Sequence, residues 1–359
     1  MKKNINIFAL LLCVVLLLPL MAGCKSGGSQ AKKIGIFMPS KNEPRWEQDS
    51  DNLIRQLQNK AYQVEMKNAE DDVERQISQI NDMIDGGCDV LVIAAIDGSK
   101  LKDVLQKAAN KKIKIIAYDR LIMDSPNVDY YVTFDNFEVG VQQGAYLEKA
   151  LDLKNSDGPF NIEIFAGSPA DNNAKFFYDG AMSILKQYID NGKLFVKSGQ
   201  IERTDAAIQD WLPATAKERM TKLLNDYYKD GTELHAILSP NDGLAMGIIQ
   251  VLKEFDFGSA QKPFPLLTGQ DSDIENVKAI LNGEQVMTVF KDTRTLADRT
   301  FRMVDDLLIK NTAETNDSTT YHNNVKIVPT YMCRPVLVDK DNYKSILIDS
   351  AYYDISEFS

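Results

Sequence analysis

The sequence predicts an α/β protein made of two Rossmann-like, doubly wound lobes, each a parallel sheet covered by helices on both faces. Three observations carry that expectation. From Lys33 onward, short β-branched runs alternate with amphipathic stretches. The runs are nearly continuous in apolar residues, as strands buried on both faces are. There are also too many of them for one sheet of ordinary width.

In chain order the strand candidates are "KIGIFM", "YQVEMKNA", "DVLVIAA", "IKIIAYD" and "YYVTFD", then "FNIEIFAGS", "KLFVKSG", "HAILSP", "PLLTGQD", "QVMTVFKD" and "VKIVPTYMCRPVLV". Pro44 suits the first turn of a helix that carries Arg45 and Trp46, and Pro213 opens another just after Trp211. Ala174, Phe177, Ala181, Leu185 and Tyr188 recur at three- and four-residue steps, which predicts a helix over 171–189. Leu296, Met303, Val304 and Leu307 share one face of a helix over 293–310. Ser272 and Glu275 fit a capping box, and Asp242 suits the cap of the helix that follows it.

The N-terminus reads as a secretory leader over 1–23: Lys2 and Lys3, an uncharged apolar run from Ile5 to Leu20, then small residues. The run is short for a transmembrane helix of ~20 residues. A Gly/Ser-rich stretch within 24–32 reads as a flexible tether. What remains suits two domains of ~100–200 residues each. The chain is acidic, with a formal net charge of −10. No basic stripe is available to neutralise phosphates, so nucleic acid is excluded as a partner. Cys13 leaves with the leader, and Cys88 and Cys333 read as buried free thiols beside apolar runs. Two His and no close Cys/His spacing predict no metal site, and no motif calls for a cofactor.

The apolar runs share a second regularity. They end in "Pro39-Ser40-Lys41", "Ile96-Asp97-Gly98", "Tyr118-Asp119-Arg120", "Ser168-Pro169", "Pro240-Asn241-Asp242", "Gln270-Asp271" and "Lys291-Asp292". Hydrogen-bonding groups thus gather where strands stop, and α/β proteins bind ligands beyond the carboxyl ends of parallel strands. A carboxylate accepts from two hydroxyls and a guanidinium donates in a fixed fork, so Asp119 beside Arg120 suits a polyol. From the residues alone an ion pair between two elements is an equal alternative. Trp46 likewise could join a core stripe with Leu53 and Leu57, Trp211 could anchor a surface loop, and Lys291 could simply pair with a nearby carboxylate.

"PSKNEPRW", "LVIAAIDGSKLKDVL", "IAYDRLI", "TFDNFEVG", "GPFNIEIFAGSPADNNAKFFYDGAM", "LSPNDGLAMGII", "TGQDSD" and "VFKDTRTLA" resemble, in order and spacing, the xylose-binding and multiple-sugar-binding group of the type I periplasmic binding proteins. The resemblance runs from about residue 33 to the C-terminus. It implies two lobes joined by three hinge crossings, near Asn136, Val289 and Pro329. One lobe would comprise 33–135 plus 290–328, and the other 136–289 plus 329–359. It implies an aldose ligand of the xylose, glucose, galactose or arabinose class, with no catalysis. The residues it assigns to the sugar are Arg45, Trp46, Asp119, Arg120, Asn173, Trp211, Asn241, Asp271 and Lys291; Lys41, Asp97 and Asn172 form a second rank. Other partners it implies are an ATP-driven importer's membrane permease and, as an alternative role, a membrane receptor to which a sugar sensor reports; the protein itself is expected to be a monomer. "Met21-Ala22-Gly23-Cys24" resembles a lipobox, with Met where Leu is usual, which implies a lipid on Cys24 and an extracytoplasmic, membrane-anchored protein. A glycosidase with Asp119 and Asp271 as paired carboxylates is the enzymatic rival. A sugar-responsive transcriptional regulator would need a DNA-binding helix pair where the leader stands.

Overall fold

The computed structural model describes residues 31–41 and 44–358. The expected leader over 1–23, Cys24 and most of the 24–32 tether lie outside the described residues. Six strands make the first sheet: β1 (Lys33–Met38), β2 (Gln63–Asn68), β3 (Val90–Ile93), β4 (Lys114–Tyr118), β5 (Tyr130–Phe134) and, far along the chain, β11 (Thr330–Cys333). Their order is β11-β5-β4-β3-β1-β2, and every neighbouring pair is parallel. Side chains on a strand alternate between faces, and the sequence places apolar residues on both. Ile34, Ile36, Met38, Val90 and Val92 pack on one side under α1 (Pro44–Asn59) and α9 (Thr293–Lys310). Phe37, Leu91, Ile93 and Ile115 pack on the other under α2 (Val73–Asp85) and α3 (Lys102–Asn110). Each such side chain taken from water contributes about 1.5–3 kcal/mol.

The second sheet has four parallel strands, β6 (Phe160–Ile164), β7 (Leu194–Phe195), β8 (Ala236–Leu238) and β9 (Leu266–Leu267), in the order β7-β6-β8-β9. Helices α4 (Asn136–Ala150) and α5 (Asn173–Asp190) contribute Leu147 and Leu185 to one of its cores. Helices α6 (Pro213–Tyr227) and α7 (Asp242–Glu254) contribute Met220 and Ile248 to the other. The seam between α4 and α5 is closed at backbone distance. A Cβ on Gly140 would stand 2.0 Å from the Phe177 carbonyl oxygen, and one on Gly180 would stand 2.1 Å from that of Phe137. Only glycine admits that approach.

The sequence called for parallel strands throughout, but "QVMTVFKD" forms β10 (Met287–Phe290) and pairs antiparallel with β12 (Val336–Asp339) outside both large sheets. The run "VKIVPTYMCRPVLV" is two strands, β11 and β12, broken at Arg334 and Pro335. The chain therefore crosses between the halves at Asp135, at residues 291–292 and at Arg334–Pro335. The last crossing corrects the division expected near Pro329, because Thr330–Cys333 hydrogen-bonds along β5 as an edge strand of the first sheet. Cys333 is buried and Cys88 half-buried, and both are free thiols. Burial pushes Cys88 up to about 11 and Cys333 up to about 12.

Candidate functional site

The carboxyl ends of the two parallel sheets meet around one narrow hollow. Arg45, Trp46, Asp119, Arg120, Asn173, Trp211, Asn241, Asp271 and Lys291 all line it. Asp171, Phe177 and Gln270 line it too; sequence reading missed these three. Gln270 had the same signal as Asp271, a polar residue at a strand tip. Phe177 lies one turn beyond Asn173 on α5.

Arg45 is the centre of the charge cluster. It is 6% exposed, and its first helical turn carries it from β1 into the cleft. Asp49, four residues on and on the same helix face, accepts from Arg45 Nε at 3.3 Å and Nη2 at 3.2 Å. Nη2 also donates to Asp119 Oδ1 at 2.9 Å, and Nη1 to Asp271 Oδ1 at 3.4 Å. The same Asp271 oxygen takes Lys291 Nζ at 2.9 Å. Tyr118 donates its hydroxyl to the other oxygen of Asp49. One guanidinium thus ties three carboxylates from two lobes; burial strengthens the attraction within each pair, at a desolvation cost that each must offset.

The acids respond differently to this setting. Burial would raise Asp119, but Arg45, Lys291 and Arg120 outweigh it and hold that carboxyl below its ordinary value. For Asp49 burial wins over Arg45, and its carboxyl is raised to about 6. Burial also raises Asp171, against the opposing pull of Arg120. Burial opposes the charge on Arg45, yet Asp119, Asp49 and Asp271 leave its guanidinium raised well above the ordinary value.

Backbone conformation aims the acids. Asp119 and Asp271 both have positive φ, +58° and +103°. Strained tips of this kind persist only when neighbours over-determine them, and Asp119 shows how. Its carbonyl accepts from Tyr131 at 2.6 Å, from Thr133 at 3.1 Å and, across the cleft, from Asn173 Nδ2 at 2.6 Å. Asn173 also accepts from Tyr131 at 3.0 Å, so part of its amide is already spent on the protein.

Two aromatic walls face the charges. The Arg45 and Arg120 guanidinium carbons stand 4.7 and 5.1 Å from the Trp46 ring centroid, within cation–π range. Trp46 both lines the hollow and packs with Leu53 and Leu57. Trp211 sits after Asp210, both at positive φ, and its ring presses on Gly167, where a Cβ would come within 2.0 Å of it. The Nε1 atoms of Trp46 and Trp211 and the Oε1 of Gln270 are buried without a protein partner.

Several expectations need correction. Lys41 is exposed and lies 3.8 Å from Glu70, Asp97 accepts from Ser99, and Asn172 occupies a cap position; none of the three lines the hollow. The reason is chain direction. Lys41 and Asp97 run past their strand tips into loops, and Asn172 sits before α5 turns inward. Asp171 rather than Asn172 supports the start of α5, accepting from the Asn173 amide at 2.9 Å, while Arg120 Nε approaches its other oxygen at 3.5 Å. Asn241, not Asp242, caps α7, taking the Leu244 amide at 3.1 Å. Asp242 is fully buried and accepts from Gln285 at 2.9 Å, Thr288 at 2.9 Å and the Asp273 amide at 3.0 Å. The capping box is absent. Asp273 takes the cap position before α8 (Ile274–Leu281), and Ser272, at positive φ, has a buried hydroxyl without a partner.

Two parallel sheets whose strand ends pool charges and indoles around one hollow define the fold and site of a solute-binding protein. The chain belongs to the periplasmic binding proteins: the family model described as "Periplasmic binding protein domain" matches residues 34–312. It is 52% identical over 325 residues to the multiple sugar-binding periplasmic protein SbpA of Azospirillum brasilense, covering 90% of each chain. It is 52% identical over 320 residues to the multiple sugar-binding periplasmic receptor ChvE of Rhizobium radiobacter, covering 89% of this chain and 90% of that one. Among solved structures, a transporter solute-binding protein from Clostridium phytofermentans with bound β-D-glucose superposes with a TM-score of 0.88. The two are 48% identical, over 91% of this chain and all of that one (100%). The family binds rather than transforms its ligands.

Proposed function

We propose that the protein captures one aldose monosaccharide between its lobes and delivers it to the permease of an ATP-driven importer, from a position outside the cytoplasmic membrane. The observation that carries this reading is the makeup of the hollow. Arg45, Arg120 and Lys291 donate, Asp119 and Asp271 accept, and Trp46 and Trp211 offer flat apolar faces. A pyranose needs that mixture, because its hydroxyls donate and accept while its C–H faces pack on aromatic rings. Arg45 and Asp119 come from the first lobe and Asp271, Asn241 and Trp211 from the second, so only the closed form offers the full set. Ligand then favours closure by its differential affinity for the two forms.

Hydrogen bonds to charged groups contribute about 1.5–3 kcal/mol each, which supports roughly micromolar or tighter binding, about −8 kcal/mol. Relatives whose names and titles specify multiple sugars and β-D-glucose support the sugar class. A lipid on Cys24 would hold the protein at the membrane. One relative is called a receptor, which favours sensing as a second role of the same closed form. Calorimetry of the mature protein against D-glucose, D-galactose, D-xylose and L-arabinose tests the proposal. At least one should titrate with a one-to-one stoichiometry; heat from none of them would sink it.

A further inference from the structure

Gln270 lines the hollow at the tip of β9, is 2% exposed, and carries a carbonyl oxygen with no partner. A buried acceptor left unpaired costs about 1–3 kcal/mol, so a residue in this state at a site needs a reason. The orientation of the amide follows from its neighbour. Gln270 Nε2 approaches the Pro240 carbonyl at 3.4 Å. That carbonyl can only accept, so the NH2 end faces it and the oxygen is left without a protein partner. The backbone is fixed as well, since the Gln270 carbonyl takes the Asp242 amide at 2.9 Å. The free oxygen therefore belongs to a residue held between Asn241 and Asp271, two other lining groups.

Resting on the sugar-binding reading above, we infer that Gln270 is a specificity-determining residue whose Oε1 accepts a hydrogen bond from one hydroxyl of the captured sugar. Gln270 acts as a neutral acceptor beside the charged acceptors Asp119 and Asp271. A neutral acceptor discriminates differently from a carboxylate that cations already share. With no cation to fall back on, its oxygen is left unpaired when the hydroxyl is missing, so it rejects the deoxy analogue at that position.

The test is calorimetry of the wild type and Gln270→Leu against D-glucose and its 1-, 2-, 3-, 4- and 6-deoxy analogues, with D-galactose, D-xylose and L-arabinose as further wild-type probes. Gln270→Leu should weaken D-glucose by roughly 5- to 150-fold (about 1–3 kcal/mol at 1.4 kcal/mol per decade). It should weaken four of the analogues to a similar degree and the fifth, which lacks the hydroxyl in question, hardly at all. A purely structural role for Gln270 predicts the same factor for every analogue, and that result overturns the inference, as does a loss under about twofold on D-glucose. Gln270→Met, close in shape and without an acceptor, carries the same reading should the leucine variant not fold. Wild-type protein silent to every sugar overturns the functional reading and this inference together, whereas sugar binding with a uniform loss removes Gln270 alone.

Discussion

Two groups of buried carboxylates lie near each other at the carboxyl ends of the strands, and the protein treats them in opposite ways. Around the hollow, Asp119 and Asp271 meet Arg45 and Lys291. Behind it, Asp242 meets only uncharged donors: Gln285, Thr288 and the Asp273 amide. Burial, with Asp273 adding repulsion, raises Asp242 well above the ordinary carboxylate value, while the cations hold Asp119 below it. Asp242 ties the loop after β9 to β10 and α7 through three neutral donors. The cation-paired acids keep lone pairs and shared donors that hydroxyls can take over. Around the hollow buried charge is met by charge, and behind it a buried carboxyl is met by neutral donors alone.

Removing the central cation should break this contrast most severely. Arg45→Met leaves Asp49, Asp119 and Asp271 facing one another in a buried space, a loss of about 3–5 kcal/mol. Urea denaturation should show that drop, and sugar binding should fall by roughly 100-fold or more. An unfolding midpoint like the wild type's would mean that the cluster is hydrated in solution.

The second measurement is the pH dependence of stability, where the two groups have opposite signs. Asp119, depressed on folding, contributes stability above its unfolded value near 4 that is lost as the pH falls through its lower folded value. Asp242, raised on folding, contributes most below pH ~4 and loses its contribution as the pH rises toward its folded value. Denaturation of Asp242→Asn between pH 4 and 7 should therefore lack a downward slope of roughly 1 kcal/mol per pH unit that the wild type carries. Parallel curves for the two proteins would contradict the raised carboxyl. The smallest effect belongs to Lys41→Ala, which should stay within ~0.5 kcal/mol in stability and about twofold in sugar affinity, because Lys41 stands outside the hollow.

Much of the site was legible because the α/β rule concerns strand ends, and strand ends are local. Asp119, Asn241, Asp271 and Lys291 could be picked out one by one from where apolar runs stop. The bonds among them could not. Asn173 spends part of its amide on the Asp119 carbonyl, a contact between residues far apart in sequence. Caps failed for a related reason. Ser272 and Glu275 have the right spacing, but Thr288 holds the Ser272 amide at 3.1 Å and Ser272 takes a left-handed conformation, so the helix starts one residue later. The lobe boundary was expected near Pro329 from where relatives pass between lobes, whereas here Arg334 and Pro335 separate the two strands.

That edge strand has a consequence for how the molecule is made. The first half of the chain lays down β1 to β5, but the sheet they form lacks its outer strand until Thr330–Cys333 arrives, and α1 lacks its neighbour α9 until Thr293–Lys310 does. The lobe that begins first is completed only after most of the second has been laid down. Long-range pairing of this kind is slow, and a chain emerging from a membrane channel in N-to-C order would wait with one flank of its oldest domain bare.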